Sequence, residues 1–363
     1  MKRLLCLVPV PQRAAAPRFR VAQYFAALQQ SGIEAVLRPF LDDEGFGVLY
    51  RAGAPADKAL AAARALLGRV ADVCRSIRFD AVLIQREAAL VGPPVFEWTL
   101  AKLLRRPIVF DLDDAVWVPY ASPTYGALLS RLLKAPGKTR FSLGASAEII
   151  AGNPYVAEYA HRFNDHVTVI PTVVDTEQFR PVPRPPRERL HVGWIGTHSS
   201  LQYLVAILPA LRAVHARRPF RLVVSGGTPP DTHGLDVEHR PGRLENEASD
   251  FASLDVGLYP LVEDAWSLGK SGFKAVQYMA CGVPCIASPV GVTHDMIRHG
   301  DNGLLATSHE DWVKHLDHLL ASADERARLA KAGRADAVAR YSLASQAPRF
   351  VEVVERAIRR EAR

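Results

Sequence analysis

An α/β chain carrying two doubly wound parallel sheets is the fold class that the sequence predicts, and three observations predict it. Short apolar runs alternate with amphipathic stretches almost throughout, as in βαβ units. A proline-rich stretch, RPVPRPPRER at residues 180–189, breaks that alternation, because four prolines in ten residues suit neither a helix nor a central strand. After the break the alternation starts again.

Taken in order, LLCLVPV (4–10) reads as the first strand and residues 17–31 as a helix with Phe19, Tyr24, Phe25 and Leu28 on one side. An Ala-rich helix is expected over 56–77. Strands follow at DAVLIQ (80–85), RPIVFDL (106–112), AEIIAG (147–152) and HVTVIP (166–171). Beyond the break, LHVGWIG (190–196) is a strand entering a glycine turn, with a helix over 201–216. RLVVSGG (221–227), LDVGLYP (254–260), VPCIASP (283–289) and NGLLA (302–306) are further strands, with a helix over 271–281. The C-terminal stretch is helical, with Phe350, Val353, Val354 and Ile358 at helical spacing. The expected domains are 1–180 and 190–345, joined by a linker at 181–189. A C-terminal helix at 346–363 is expected to pack back on the first domain. Two such domains place ligands at the carboxyl ends of their strands, facing a cleft.

Composition narrows the function. The 363 residues are 48% apolar and 23% charged, which fits a globular protein with enough apolar residue for two cores. The net charge of +7 comes mostly from arginine, 36 Arg against 9 Lys. No basic run is interleaved with aromatics and no zinc-finger or RNP-like motif appears, so nucleic acid is not an expected partner. Four scattered cysteines make no disulfide framework, and Cys281 and Cys285 lack a second pair, so no metal is assigned. No run is long and apolar enough to span a bilayer, and MKRLLCLVPVPQR reads as a strand rather than a signal peptide. A reduced, cytoplasmic setting is expected. Residues 125–143, YGALLSRLLKAPGKTRFSL, mix Leu with Arg and Lys. They read either as a core-packed helix with a basic outer face or as a segment lying on an anionic membrane surface, the peripheral inner-face location.

The chemistry concentrates in residues 266–292, WSLGKSGFKAVQYMACGVPCIASPVGV. Gly269 and Gly272 form a flexible loop ahead of a helix, and a helix N-terminus behind glycines attracts anions. Lys270 and Lys274 are the only lysines between 139 and 313, and their position beside that terminus points to phosphate contact. This segment resembles the nucleotide-sugar site of glycosyltransferase family 4, a group 1 family of GT-B fold. Members usually carry two Glu separated by seven residues, then Ala-Met-Ala-Cys/Ser-Gly-x-Pro-Val. Gln277-Tyr278-Met279-Ala280-Cys281-Gly282-Val283-Pro284 matches the second half of that motif. IPTVVDTEQFRP (170–181), VGWIGTHSSLQYL, LDVGLYPL and SPVGVTHDMIRHGDNGLLA extend the resemblance over most of the chain, and RFRVAQYFAALQQSGIEA resembles the first helix of the family's N-terminal domain.

The departures mark a divergent branch. Gln277 stands where the family has its second Glu, and Gly269 where it has its first. Thr197 and His198, after Gly196, replace the usual basic phosphate clamp. The resemblance therefore implies that Lys270 and Lys274 stabilise the leaving diphosphate. Gly196, Thr197, His198, Glu247, Gly269, Gly272, Phe273 and Gln277 would hold the donor. In the first domain Asp111, Asp113 and Asp114 crowd a strand end, where like charges repel unless something answers them. Asp113 takes the position of a family His near the reacting sugar, while Asp111, Asp114, Arg18, Arg20 and Arg86 are expected at the acceptor. The implied activity is retaining, hexosyltransferase-like transfer from a nucleotide sugar, as a co-substrate and with no cofactor, to a glycan, lipid-linked or small-molecule acceptor. A non-catalytic sugar-nucleotide-binding protein and a sugar-nucleotide epimerase are the alternatives. A nicotinamide enzyme is not, because Gly193 and Gly196 do not complete G-x-G-x-x-G.

Overall fold

The computed structural model describes residues 1–49, 51, 53–118, 135 and 137–361. Two compact units form: Met1–Thr172 together with Gln346–Arg363, and Val173–Ser345. The proline-rich stretch lies within the second unit. Arg184 and Arg187 fasten it there, donating to the carbonyls of Ala252 (2.9 Å), Gly282 (3.1 Å) and Ser253 (2.7 Å).

The first unit holds β1 (Lys2–Val8), β2 (Ile33–Pro39), β3 (Ala81–Gln85), β4 (Ile108–Leu112), β5 (Glu148–Ala151) and β6 (Val167–Val169). They run parallel in the order β2-β1-β3-β4-β5-β6. Strand alternation sends Leu5, Leu7, Val82, Ile84, Phe110 and Leu112 to one face, where Val73, Phe96 and Leu100 from the covering helices join them. Leu4, Cys6, Leu83 and Val109 are buried on the other, so both faces are apolar, as a parallel sheet requires. Tyr24 stacks on Phe350 there, with ring centroids 4.0 Å apart.

The second unit holds β7 (His191–Gly196), β8 (Arg221–Gly226), β9 (Asp236–Arg240), β10 (Val256–Tyr259), β11 (Cys285–Ala287) and β12 (Leu304–Leu305). Their order is β12-β11-β10-β7-β8-β9, again all parallel. The chain winds from β7 to β9 on one side, then crosses to β10 on the other. The switch point, where ligands bind in such sheets, therefore lies between β7 and β10. Those two strands are paired only at Val192–Val256 and Gly193–Gly257.

Two strands escaped the sequence reading. β2 and β9 are edge strands, and β9 (DVEHR) is only partly buried, so its pattern lacks an apolar run. The helix expected over 17–31 is broken into Ala15–Arg20, a 3-10 turn Ala22–Tyr24 and Phe25–Gln30. Val21 leaves helical geometry (φ −130°, ψ −63°) next to Arg20, which is turned into the interior.

Candidate functional site

In the second unit the site is built on the helix Phe273–Ala280. Tyr278, fully buried, locks this helix to the switch point: its hydroxyl accepts from Ile195 N (3.2 Å) and lies 3.2 Å from Gly193 O and 3.3 Å from Leu258 O. Gly257 makes room for the ring, since a Cβ there would sit 2.5 Å from Tyr278 Cδ1. Gly272, at φ +67°, lets the chain turn into the helix.

From that helix Lys274 Nζ donates to Gln277 Oε1 (3.1 Å), and Gln277 Nε2 donates to Glu247 Oε1 (3.0 Å). The structure thus brings Lys274, Gln277 and Glu247 into one hydrogen-bonded row. Gln277 is fully buried, while Lys274 and Glu247 are half-buried. The carboxylate absent from position 277 stands one residue further out, on the helix Glu247–Ala252. A charged acceptor is still present, with an amide between it and the lysine.

Lys274 Nζ also lies over the Phe251 ring (5.2 Å) and the Phe273 ring (5.9 Å). Lys270 Nζ sits 5.8 Å from both the Tyr203 and Trp266 rings, at the outer range of a cation–π contact. Tyr203 is itself bonded to Ser267 (3.0 Å). Gly269 ends the short helix Ala265–Leu268, whose N-cap is Asp264, accepting from Ser267 N (2.6 Å). Asp264 therefore has a structural duty at this turn. Gly196 closes β7, and Thr197 N donates to Ser200 Oγ (3.1 Å) in the turn that starts the next helix. Thr197 and His198 are exposed there.

In the first unit the crowding of the acidic cluster is answered by cations of the protein itself. Two arginines interleave it. Arg86 grips both oxygens of Asp113 (2.5 and 2.7 Å) and also bonds Asp114. Its backbone adopts φ +61°, a strained conformation for a residue with a side chain. Burial works against ionisation of Asp113, but Arg86 and then Arg20 outweigh it and hold its carboxyl below the ordinary value. Arg20 forks onto Asp111 (2.5 and 3.2 Å) and donates to Ile170 O (2.8 Å). Arg20 and Asp111 are 1% and 0% exposed, so both leave the set of acceptor-contact candidates and become internal supports. Burial pushes the Asp111 carboxyl up to about 6, against the pull of Arg20. Arg18 lies with its guanidinium carbon 4.3 Å from the Phe19 ring centroid. Asn153 caps the helix Pro154–His161, accepting from Val156 N (2.9 Å).

The sequence did not single out Gln85. It ends β3 opposite Asp111 in register and is fully buried, and among the described residues neither of its side-chain polar atoms has a hydrogen-bond partner. A polar residue closing an apolar strand was the available signal. Nor did it mark the cavity of about 690 Å³ that Asp42, Arg13, Arg51 and Arg64 help to line beside the end of β2.

Most of the proposed membrane segment, including Arg131 and Lys134, lies outside the described residues. Lys138 is described and is buried, donating to Ala89 O (2.8 Å) and paired with Glu87, so it is no membrane-facing cation. Among the described residues no helix is long and apolar enough to cross a membrane, and no group of His, Cys, Asp or Glu is arranged to hold a metal.

Residues 187–322 match the family model for glycosyl transferases group 1. The chain is 30% identical over 229 residues to a D-inositol 3-phosphate glycosyltransferase of Stackebrandtia nassauensis, covering 54% of this chain and 50% of that one. It thus spans about half the length of that relative. It is 28% identical over 357 residues to an MMP alpha-(1->4)-mannosyltransferase of Mycolicibacterium hassiacum, covering 90% and 81%. Among solved structures it resembles HepE of Anabaena in complex with UDP-glucose, with a TM-score of 0.70, 15% identity and coverage of 98% and 100%. Sucrose-phosphate synthase of Thermosynechococcus elongatus gives a TM-score of 0.70 at 16% identity, covering 98% of each chain. Both likenesses show the GT-B fold.

Proposed function

Since the chain belongs to the group 1 glycosyltransferases through residues 187–322, we propose that it moves a sugar from a nucleoside-diphosphate sugar to a hydroxyl of a glycan, lipid-linked or small-molecule acceptor, with retention of configuration. The observation that carries this reading is the row Lys274–Gln277–Glu247 at the β7/β10 switch point. It supplies a cation for a diphosphate and, beside it, a carboxylate and an amide for ribose hydroxyls.

Breaking the anomeric C–O bond puts positive charge on the sugar and negative charge on the departing diphosphate. Lys270, Lys274 and the positive end of the Phe273–Ala280 helix dipole answer the negative charge. Gln277 holds Lys274 in place before the substrate arrives, which limits reorganisation during the reaction. Gly196, Thr197 and His198 border the same strand ends. In the first unit Asp113 and Asp114, oriented by Arg86, are the acceptor-side carboxylates, while Arg20 and Asp111 hold that layer from within.

A panel of UDP-, GDP- and ADP-sugars tests the reading, first by thermal shift and then by transfer or slow hydrolysis. One donor is expected to raise the melting temperature by mass action and to turn over. Lys274→Ala should lower kcat/KM by about 10²–10³-fold, the range for losing one stabiliser of transition-state charge. Unchanged turnover in both Lys270→Ala and Lys274→Ala would overturn it. Donor binding without turnover on any acceptor would instead support the non-catalytic sugar-nucleotide-binding reading.

A further inference from the structure

The helix Pro55–Arg75 and the 3-10 turn Ser76–Arg78 after it carry an apolar stripe that faces away from the sheet. Leu60 is 52% exposed, Leu67 73%, Val70 50% and Ile77 63%, and Ala63 and Cys74 are exposed between them. These positions are spaced 3, 4, 3, 4 and 3 apart, the a/d rhythm of helices that pair. The helix cannot roll to hide them, because its inner face is pinned. Arg69, 1% exposed, donates to Val8 O (3.1 Å) and Arg38 O (3.2 Å) and pairs with Asp72 (3.5 Å).

We propose that this stripe is the interface of an antiparallel homodimer, in which the helix of one copy packs along the same helix of a second copy about a two-fold axis near residues 68–69. The stripe fits its own reverse. Inverting the helix sets Leu60 against Ile77 of the partner subunit, Ala63 against Cys74 of the partner subunit, and Leu67 against Val70 of the partner subunit. Large side chains meet large ones and small meet small in every layer. A two-fold axis makes each contact occur twice.

Charge selects the orientation. Asp57, Arg64 and Arg78 are exposed along one border of the stripe. In a parallel pair Asp57 and Arg78 of the partner subunit would lie about 30 Å apart along the axis. The antiparallel pair sets Asp57 beside Arg78 of the partner subunit at both ends and Arg64 beside Ala71 of the partner subunit. Residues 55–78 run about 35 Å. A single pair of helices makes a small contact, so the dimer is expected to dissociate in the micromolar range.

The full-length protein tests this by sedimentation across about 1–200 μM. The wild type should pass from monomer to dimer. Leu67→Glu with Val70→Glu should weaken association at least tenfold while leaving the circular dichroism spectrum unchanged, since both side chains are solvent-exposed. Oxidative cross-linking reads the orientation. Ala63→Cys should yield a covalent dimer that is lost when Cys74→Ser is added, and wild-type Cys74 alone should not cross-link, Cys6, Cys281 and Cys285 being buried. A wild type that stays monomeric throughout overturns the proposal, whether or not it then floats with anionic phosphatidylserine vesicles. Wild-type cross-linking as strong as that of Ala63→Cys overturns the antiparallel arrangement.

Discussion

Arg20 and Asp111 show how far a single side chain can depart from what its type suggests. Both are polar residues in a stretch where ligands are expected, and both are almost wholly removed from solvent. A buried charge left without its partner is strongly destabilising, so Asp111→Ala should cost about 3–5 kcal/mol in chemical denaturation. The double variant Arg20→Met with Asp111→Leu should recover much of that loss, because it removes both charges together. A double variant less stable than Asp111→Ala alone would show that the pair does more than neutralise itself. The pair also titrates in an accessible range. Asp111 moves up from 3.8 to about 6, so between those values the folded protein holds a proton that the unfolded chain has released. Its contribution to stability therefore falls as pH rises through that window. Asp113, held below its ordinary value, works in the opposite sense at lower pH: its contribution is present above the unfolded value and is lost as pH falls. Stability measured from pH 4 to pH 6 in wild type and in Asp111→Asn should differ in slope by this group. Parallel slopes would mean that Asp111 does not titrate there. The sequence placed the carboxylates and both arginines at one site but did not show that they pair with one another. Arg20 lies 91 residues from Asp111 and Arg86 lies 27 from Asp113, and no local pattern links positions so distant.

At the scale of elements, the helix Phe273–Ala280 was legible because its signals are local. Glycines precede it, lysines sit at its start, and Gly282 with Pro284 follows its end. The buried strands were legible for the same reason, as apolar runs between turns. β2 and β9 were not, because edge strands need no continuous apolar run. The partner of Gln277 was equally out of reach. Glu247 lies 30 residues away on another helix, and only the fold places it within 3.0 Å. Gly257 ties this element to the sheet and allows a specific test. In Gly257→Ala the added methyl would lie 2.5–2.8 Å from three Tyr278 ring atoms. Tyr278 is fully buried and has no free direction to move without shifting its helix. Overpacking of this kind costs about 1–3 kcal/mol. Because the same helix carries Lys274 and Gln277, donor affinity should fall along with the melting temperature. A variant with lowered stability but unchanged donor binding would separate the helix from the site and argue against the role given to that row.

The first unit is completed by the last helix, Leu343–Glu361, which belongs to it from Gln346 onward. Phe350, Val353, Val354 and Ala357 are at most 1% exposed. Arg356 and Arg360 both reach the buried Glu148 of β5, at 3.0 and 3.1 Å. Arg356 also donates to Thr168 of β6 (2.8 Å). The first unit is therefore completed only by residues nearly two hundred positions further along. Burying each large apolar side chain is worth about 1.5–3 kcal/mol. Three of them, with Ala357 and the ion pairs, approach the roughly 5–15 kcal/mol that holds a whole domain together. Removing residues 346–363 should therefore unfold the first unit, read as loss of its protection in hydrogen exchange, while residues 173–345 keep theirs. Phe350→Ala, which removes one side chain and its stacking on Tyr24, should cost about 3–5 kcal/mol and lower the unfolding midpoint of the first unit alone. If the truncated chain kept native exchange protection across β1, β3 and β4, the C-terminal helix would be an accessory rather than a part of that core.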